Sequence, residues 1–358
     1  MRRDDLEGPP ELEGAQLRRR LLVIAGVALA VVALITLVPG LSALRARLAH
    51  GDPGWLALGA GLKVLSGACY AVAFRSVFCS RMSWRASLDI GFSELGANVV
   101  LPVGGAGGLA LGAWALRRGG MDTRLIARRS VAFFFLTSVP NVLGVIVLGT
   151  ALALGLVAGH ASPALTIGPA AAAAAAVILT ILAGRWAARA ARRESARRGS
   201  GSRLAASLQA LSTGIGDALD LLRHANAQLL VGLAGYLAFD VMILWATFHA
   251  FGSASPLAII WIGYLIGELG GLIPVPGGIG GVDVGLVGAL VLYHVPVGAA
   301  TAAVLGYRAL ALIVPLVLGT IAFLRLRRSV AKETVRVADC APGEAVEIVG
   351  VGVARVGA

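Results

Sequence analysis

The chain has little charge. Asp, Glu, Lys and Arg make up 14% of its 358 residues, against 58% hydrophobic residues, and the mean hydropathy is +0.84. A soluble domain of this size does not carry so large an apolar fraction. Histidine and cysteine are also scarce, at five and three. Cys69, Cys79 and Cys340 are odd in number and scattered, which gives neither a disulfide framework nor metal-ligand spacing. There is no Walker sequence, GxSxG, HExxH or CxxC. With those groups missing, no catalytic residue, metal or cofactor is expected, and the chain is not read as an enzyme.

What is present is a series of apolar runs long enough to cross a hydrocarbon core, which takes about 20 residues. The sequence predicts an all-α polytopic membrane protein with six spans, at 21–38, 55–78, 130–157, 165–183, 229–251 and 297–324. Basic residues outnumber acids 31 to 19, a net charge of +12, but nearly all are Arg at the ends of apolar runs. That placement is a topology signal and a contact for anionic lipid, so lipid and not nucleic acid is the expected partner. The run Arg18-Arg19-Arg20 before the first span resembles a signal peptide. The 18 apolar residues that follow exceed the usual length, and no small-x-small site succeeds them, so an uncleaved helix is expected.

Two segments, 88–116 and 256–293, are interrupted by glycine and proline and do not read as simple spans. They carry a repeat. Residues 104–112 read GGAGGLALG and 277–285 read GGIGGVDVG, a separation of 173 residues. Glu94-Leu95-Gly96 recurs as Glu268-Leu269-Gly270, and Val139-Pro140-Asn141-Val142-Leu143-Gly144 as Val314-Pro315-Leu316-Val317-Leu318-Gly319, at 174 and 175 residues. The first interrupted segment has Arg on both flanks and the second has none, which puts their ends on opposite sides of the membrane. Arg45 and Arg47 fall on the expected outer side, against the bias. The expected organisation is a cytosolic tail at 1–19, a first membrane repeat at 20–184, an Arg-rich cytosolic linker at 185–226, a second repeat at 227–328 (beginning with the 165–183 span by topology) and a cytosolic tail at 329–358. Each repeat holds a re-entrant hairpin, and the repeats are inverted, with both termini cytosolic. Inverted repeats with broken segments are typical of transporters, whose sites lie where the breaks meet.

The candidate site follows from residues that are costly in a membrane. Gly104, Gly105, Gly277, Gly278 and Gly280 permit unwound tips whose N–H groups attract phosphate, or they allow close helix packing. Arg308 lies deep in the last span, where a charge costs at least about 2.5 kcal/mol. It suits phosphate binding, or it forms a structural ion pair with Asp283 or Glu268. Glu94 and Asn98 are the polar groups of the first hairpin, and Ala110 stands at the position equivalent to Asp283. Lys63 and Asp240 sit in the second and fifth spans and read as a structural pair across the bundle. Tyr307 and Trp261 read as packing or interface residues, and His160, His249 and His294 as interfacial.

The stretch Ile273-Pro274-Val275-Pro276-Gly277-Gly278-Ile279-Gly280-Gly281-Val282-Asp283, with Gly306-Tyr307-Arg308 and Pro315 after it, resembles the membrane domain of lysylphosphatidylglycerol synthases. Leu101-Pro102-Val103-Gly104-Gly105 through Arg117-Arg118-Gly119-Gly120 is similar to the matching upstream motif. The resemblance covers about residues 20–328. Members often carry an acid and then an Arg after the first glycine block, where this chain has Gly107 to Leu111. The second-block acid, often Glu, is Asp283 here. The resemblance implies a flippase-like protein of the bacterial cytoplasmic membrane, moving a phospholipid or polyprenyl-phosphate lipid. The synthases carry a large soluble domain after the membrane part. Here 329–358 is all that follows, so aminoacyl transfer is not expected. The alternative is a non-catalytic scaffold that docks a separate cell-envelope enzyme on the Arg-rich stretch. An intramembrane transferase with Asp283 or Glu268 as base ranks last.

Overall fold

The computed structural model describes residues 42–100, 106–157, 163–198, 203–268 and 281–331. These residues are helical with no strand. The helices are α1 (Ser42–Ala49), α2 (Pro53–Phe78), α3 (Trp84–Val100), α4 (Ala106–Arg118), α5 (Thr123–Ala153), α6 (Pro163–Arg198), α7 (Arg203–Arg223), α8 (Ala227–Ala250), α9 (Leu257–Gly267), α10 (Gly281–Leu292) and α11 (Val297–Ala331). Five of them, α2, α5, α6, α8 and α11, contain stretches long and apolar enough to cross a membrane. The chain is a multi-pass membrane protein. The predicted span 21–38 lies outside the described residues.

Helix starts are set by short polar side chains. Asp52 accepts a hydrogen bond from the Gly54 amide ahead of Pro53 at the first helical turn of α2. Asp122 caps α5 through the amides of Arg124 and Leu125, and Asn226 caps α8 through Leu229. An acceptor at the N-cap satisfies amides the helix leaves open. The Asp122 cap explains why α5 begins seven residues before its apolar run at 130.

The helix starts repeat. Pro53, Trp84, Ala106 and Thr123 are followed by Ala227, Leu257, Gly281 and Val297, separations of 173 to 175 residues (227 − 53, 257 − 84, 281 − 106, 297 − 123). Helices α2 and α8 pack antiparallel. The Asp52 amide donates to the Ala250 carbonyl at one end of the pair, and Gly232 abuts Ala73 near the other. Helix α4 folds back along α3, with Gly108 against the Glu94 carbonyl and the Asn98 side chain. Helix α10 folds back along α9, with Gly285 against the Gly267 carbonyl and Gly263 against Leu290. Each short pair is surrounded by its own apolar core. Phe74, Phe78, Phe133 and Leu116 belong to the first, and Ile243, Phe248, Ile260 and Leu286 to the second.

The pairs are held by the long helices of the opposite half. Helix α3 crosses α11 at glycines that belong to the repeated blocks. A Cβ at Gly96 would stand 2.9 Å from the Gly319 Cα and the Pro315 carbonyl oxygen, and one at Gly319 would stand 2.7 Å from the Gly96 Cα. In the other half, α9 lies on α5, where a Cβ at Gly144 would stand 2.9 Å from Leu265.

The Arg-rich stretch is not an open loop. Helix α6 continues through it to Arg198, and α7 packs on both α5 and α6. Asp217 of α7 pairs with Arg128 of α5, and Gly214 lies against Val131. Helix α7 is apolar on one side, with Ile215 and Ala218 buried, which is why a polar-looking segment docks. Arg47 of α1 donates to the Ser253 hydroxyl at 3.0 Å, so this basic residue has a protein partner at its end of the bundle. Cys69 is a free cysteine.

Gly96→Val and Gly319→Val should each lower thermal stability in detergent by about 1–3 kcal/mol, because backbone cannot move aside as a side chain can. Gly216→Ala, where a Cβ meets open space, should be neutral or slightly stabilising. Melting by fluorescence-detected size exclusion checks both.

Candidate functional site

Arg308 is the twelfth residue of α11, about 16 Å from its start at 1.5 Å per residue. Its Nε lies 2.8 Å from Oδ1 of Asp283. Asp283 is in the first turn of α10, where a carboxylate is favoured by the helix dipole. The two side chains are 16% and 21% exposed, and Val284 beside them is 72% exposed. The pair therefore stands at the wall of the bundle, not in its dry interior.

Behind it lies a second pair. Lys63 Nζ donates to Asp240 Oδ1 at 2.7 Å, joining α2 to α8 with both side chains buried. Ten residues from the start of α2 and thirteen from the start of α8, these charges sit far from either helix end. They are tolerable there because each neutralises the other. Glu268 closes α9 and lies within electrostatic reach of Asp240, Arg308, Lys63 and Asp283. Tyr307 donates to the Tyr264 hydroxyl at 3.3 Å beside these charges. The cluster thus gathers three carboxyl groups and two cations from five helices.

The first half has a different polar site. Glu94 is 1% exposed, and Tyr70 of α2 donates to its Oε2 at 2.7 Å. Its Oε1 rests on Gly112 of α4, where any Cβ would collide with it. Asn98 accepts from the Gly108 amide at 2.7 Å, tying α4 to α3. Tyr236 of α8 packs on Tyr70 with ring centroids 5.3 Å apart. Tyr236 also lies within electrostatic reach of Asp240 and Glu268, so the two polar sites are contiguous.

The sequence-predicted site residues therefore divide. Arg308, Asp283, Glu268, Lys63 and Asp240 come together, and Glu94 with Asn98 forms the neighbouring group. Gly104, Gly105, Gly277, Gly278 and Gly280 lie outside the described residues, as does His160. The block glycines that are described, Gly108, Gly112 and Gly285, serve close packing of the short helices. His249 stacks with Trp55 and Trp245 near the end of α8. His294 takes a positive φ of 65° in the turn after α10. Among the described residues no group of three potential metal ligands occurs.

Tyr70, Tyr236 and Tyr264 were missed, and Tyr307 was read as a packing or interface residue. Tyr70, Tyr236, Tyr264 and Tyr307, four of the chain's five, line the polar layer. The available signal was their position inside apolar runs, where a phenolic hydroxyl needs a partner.

Residues 23–319 match the protein family described as Lysylphosphatidylglycerol synthase TM region. No curated protein matches the chain.

Lys63→Met leaves Asp240 as an uncompensated buried charge and should cost about 3–5 kcal/mol, while Lys63→Met with Asp240→Leu should recover most of that. Thermal midpoints of the two single variants and the double variant in detergent form the cycle. Simple additivity of the single effects would show the pair to be uncoupled.

Proposed function

Since the chain belongs to the lysylphosphatidylglycerol synthase transmembrane-region family, we propose that it is a flippase-like protein. It would translocate a phosphate-bearing lipid headgroup, of a phospholipid or a polyprenyl phosphate, across the bacterial cytoplasmic membrane. In this reading α3–α4 and α9–α10 are re-entrant hairpins of an inverted repeat. Their lengths support it. At 1.5 Å per residue the 13, 11 and 12 residues of α4, α9 and α10 reach about 16–20 Å, short of a hydrocarbon core of about 30 Å. The antiparallel packing of α2 on α8 and the cross-wise seating of α3 on α11 and α9 on α5 support the inversion.

The observation that carries the function is the Arg308–Asp283 pair at the bundle wall. A guanidinium held by a carboxylate beside a lipid-facing side chain is poised to exchange that carboxylate for a phosphate. The headgroup would lie against Arg308 while its chains stay in lipid, next to Val284. Asp283 would leave Arg308 as the phosphate arrives and return as it departs. Such exchange keeps Arg308 from standing uncompensated at membrane depth in either state.

The test is dithionite quenching of fluorescent phosphatidylglycerol in proteoliposomes. Arg308→Ala should slow translocation by at least about tenfold, the worth of one charged hydrogen-bonded contact. Arg308→Lys, which keeps charge without the planar fork, should fall between. Equal rates for wild type and Arg308→Ala sink the reading. If deletion of the Arg-rich stretch 185–203 then abolishes function in cells, the scaffold takes its place.

A further inference from the structure

Glu94 is a buried acid that headgroup binding does not use. Among the described residues it has one hydrogen-bond donor, the Tyr70 hydroxyl, and no Lys, Arg or His faces it. From α2 it meets Tyr70, which is backed by Tyr236 of α8, and from α4 it meets Gly112. Helix α11 meets α3 beside it, where backbone at Pro315 and Gly319 touches Gly96 and Phe92. On its own helix Asp89, five residues before it, lies among Arg85 and Arg325. Glu268, at the equivalent place in the second half, sits instead within reach of two cations.

An unpaired carboxylate out of water is among the most costly groups a protein can hold, and it is ordinarily neutralised. A metal ion does not fit, because Oε1 is in contact with Gly112 and Oε2 is taken by Tyr70. What remains is a proton. We propose that Glu94 is a proton-carrying residue, protonated while α4 lies against α3 and exchanging its proton with water when α4 separates from it, so that headgroup translocation is coupled to proton movement. This rests on the translocation reading above. The asymmetry of the halves then divides the labour, with the proton in the first and the phosphate in the second. A phosphate brought to three carboxyl groups and two cations adds negative charge, and a proton moved in the same cycle offsets it. Gly112 is the residue that makes room for the acid.

Two measurements on the full-length protein separate this proposal from the reading beneath it. The first is infrared spectroscopy of purified protein at pH 7, comparing wild type with Glu94→Gln. A protonated-carboxyl band present in wild type and lost in the variant is expected. Its absence means that Glu94 is ionised and overturns the proposal, whatever transport does. The second uses fluorescent phosphatidylglycerol in proteoliposomes with an imposed pH difference. In wild type one pH unit should move the inner-to-outer probe ratio by up to about tenfold, the limit for one proton per headgroup. Glu94→Gln should still translocate the probe but ignore the gradient. Glu94→Asp, with the carboxyl kept, should retain a partial response and guards against a folding defect. A wild-type ratio indifferent to the gradient, with translocation intact, overturns the coupling alone. No translocation at all sinks the transport reading and the coupling with it, while the infrared band still locates the proton.

Discussion

The architecture depends on a backbone-to-backbone contact, the crossing of α3 and α11 at Gly96 and Gly319. In lipid, apolar side chains gain nothing by leaving one apolar phase for another, so helices adhere through close packing. The glycines give the closest approach available. Without it the pair α3–α4 would have no such wall to lie against. The contact also explains why two of the repeated blocks exist. Glu94-Leu95-Gly96 of one half meets Val314-Pro315 through Gly319 of the other, so the two motifs are the two faces of one interface.

That packing permits a polar layer inside an otherwise apolar bundle. Lys63 and Asp240 join the two antiparallel helices, Arg308 and Asp283 join a long helix to a short one, and Tyr236 packs on Tyr70, which donates to Glu94. Each charge is placed where another helix can answer it, with Glu94 the exception. Tyrosine suits this layer because its ring packs like a core residue while its hydroxyl reaches a carboxyl group. The layer lies between two separate apolar cores.

Much of this was legible in the sequence. Long apolar runs marked the five described spans, and the repeated blocks marked the helices that meet. Charges at membrane depth singled out Arg308, Lys63 and Asp240, because few residues there can be accidental. Other features were not legible for physical reasons. Composition reports polarity but not the amphipathic side by which α7 docks, so 185–226 read as an exposed stretch. Apolar runs mark the membrane and not the cap, so α5 started later on paper than at Asp122. The Gly112 cavity is a three-dimensional fit between residues eighteen apart, and no linear pattern announces it. The glycine tips and the 21–38 segment lie outside the described residues.

The unequal halves have an energetic consequence. A carrier made of two identical inverted halves would have degenerate inward- and outward-facing forms, each the mirror of the other's roles. Here Ala110 stands where the other half has Asp283, and Glu94 faces a tyrosine where Glu268 faces cations. In the proposed carrier that degeneracy would be lifted: one facing would be the ground state, and these polar differences would set which side of the membrane the empty carrier waits on.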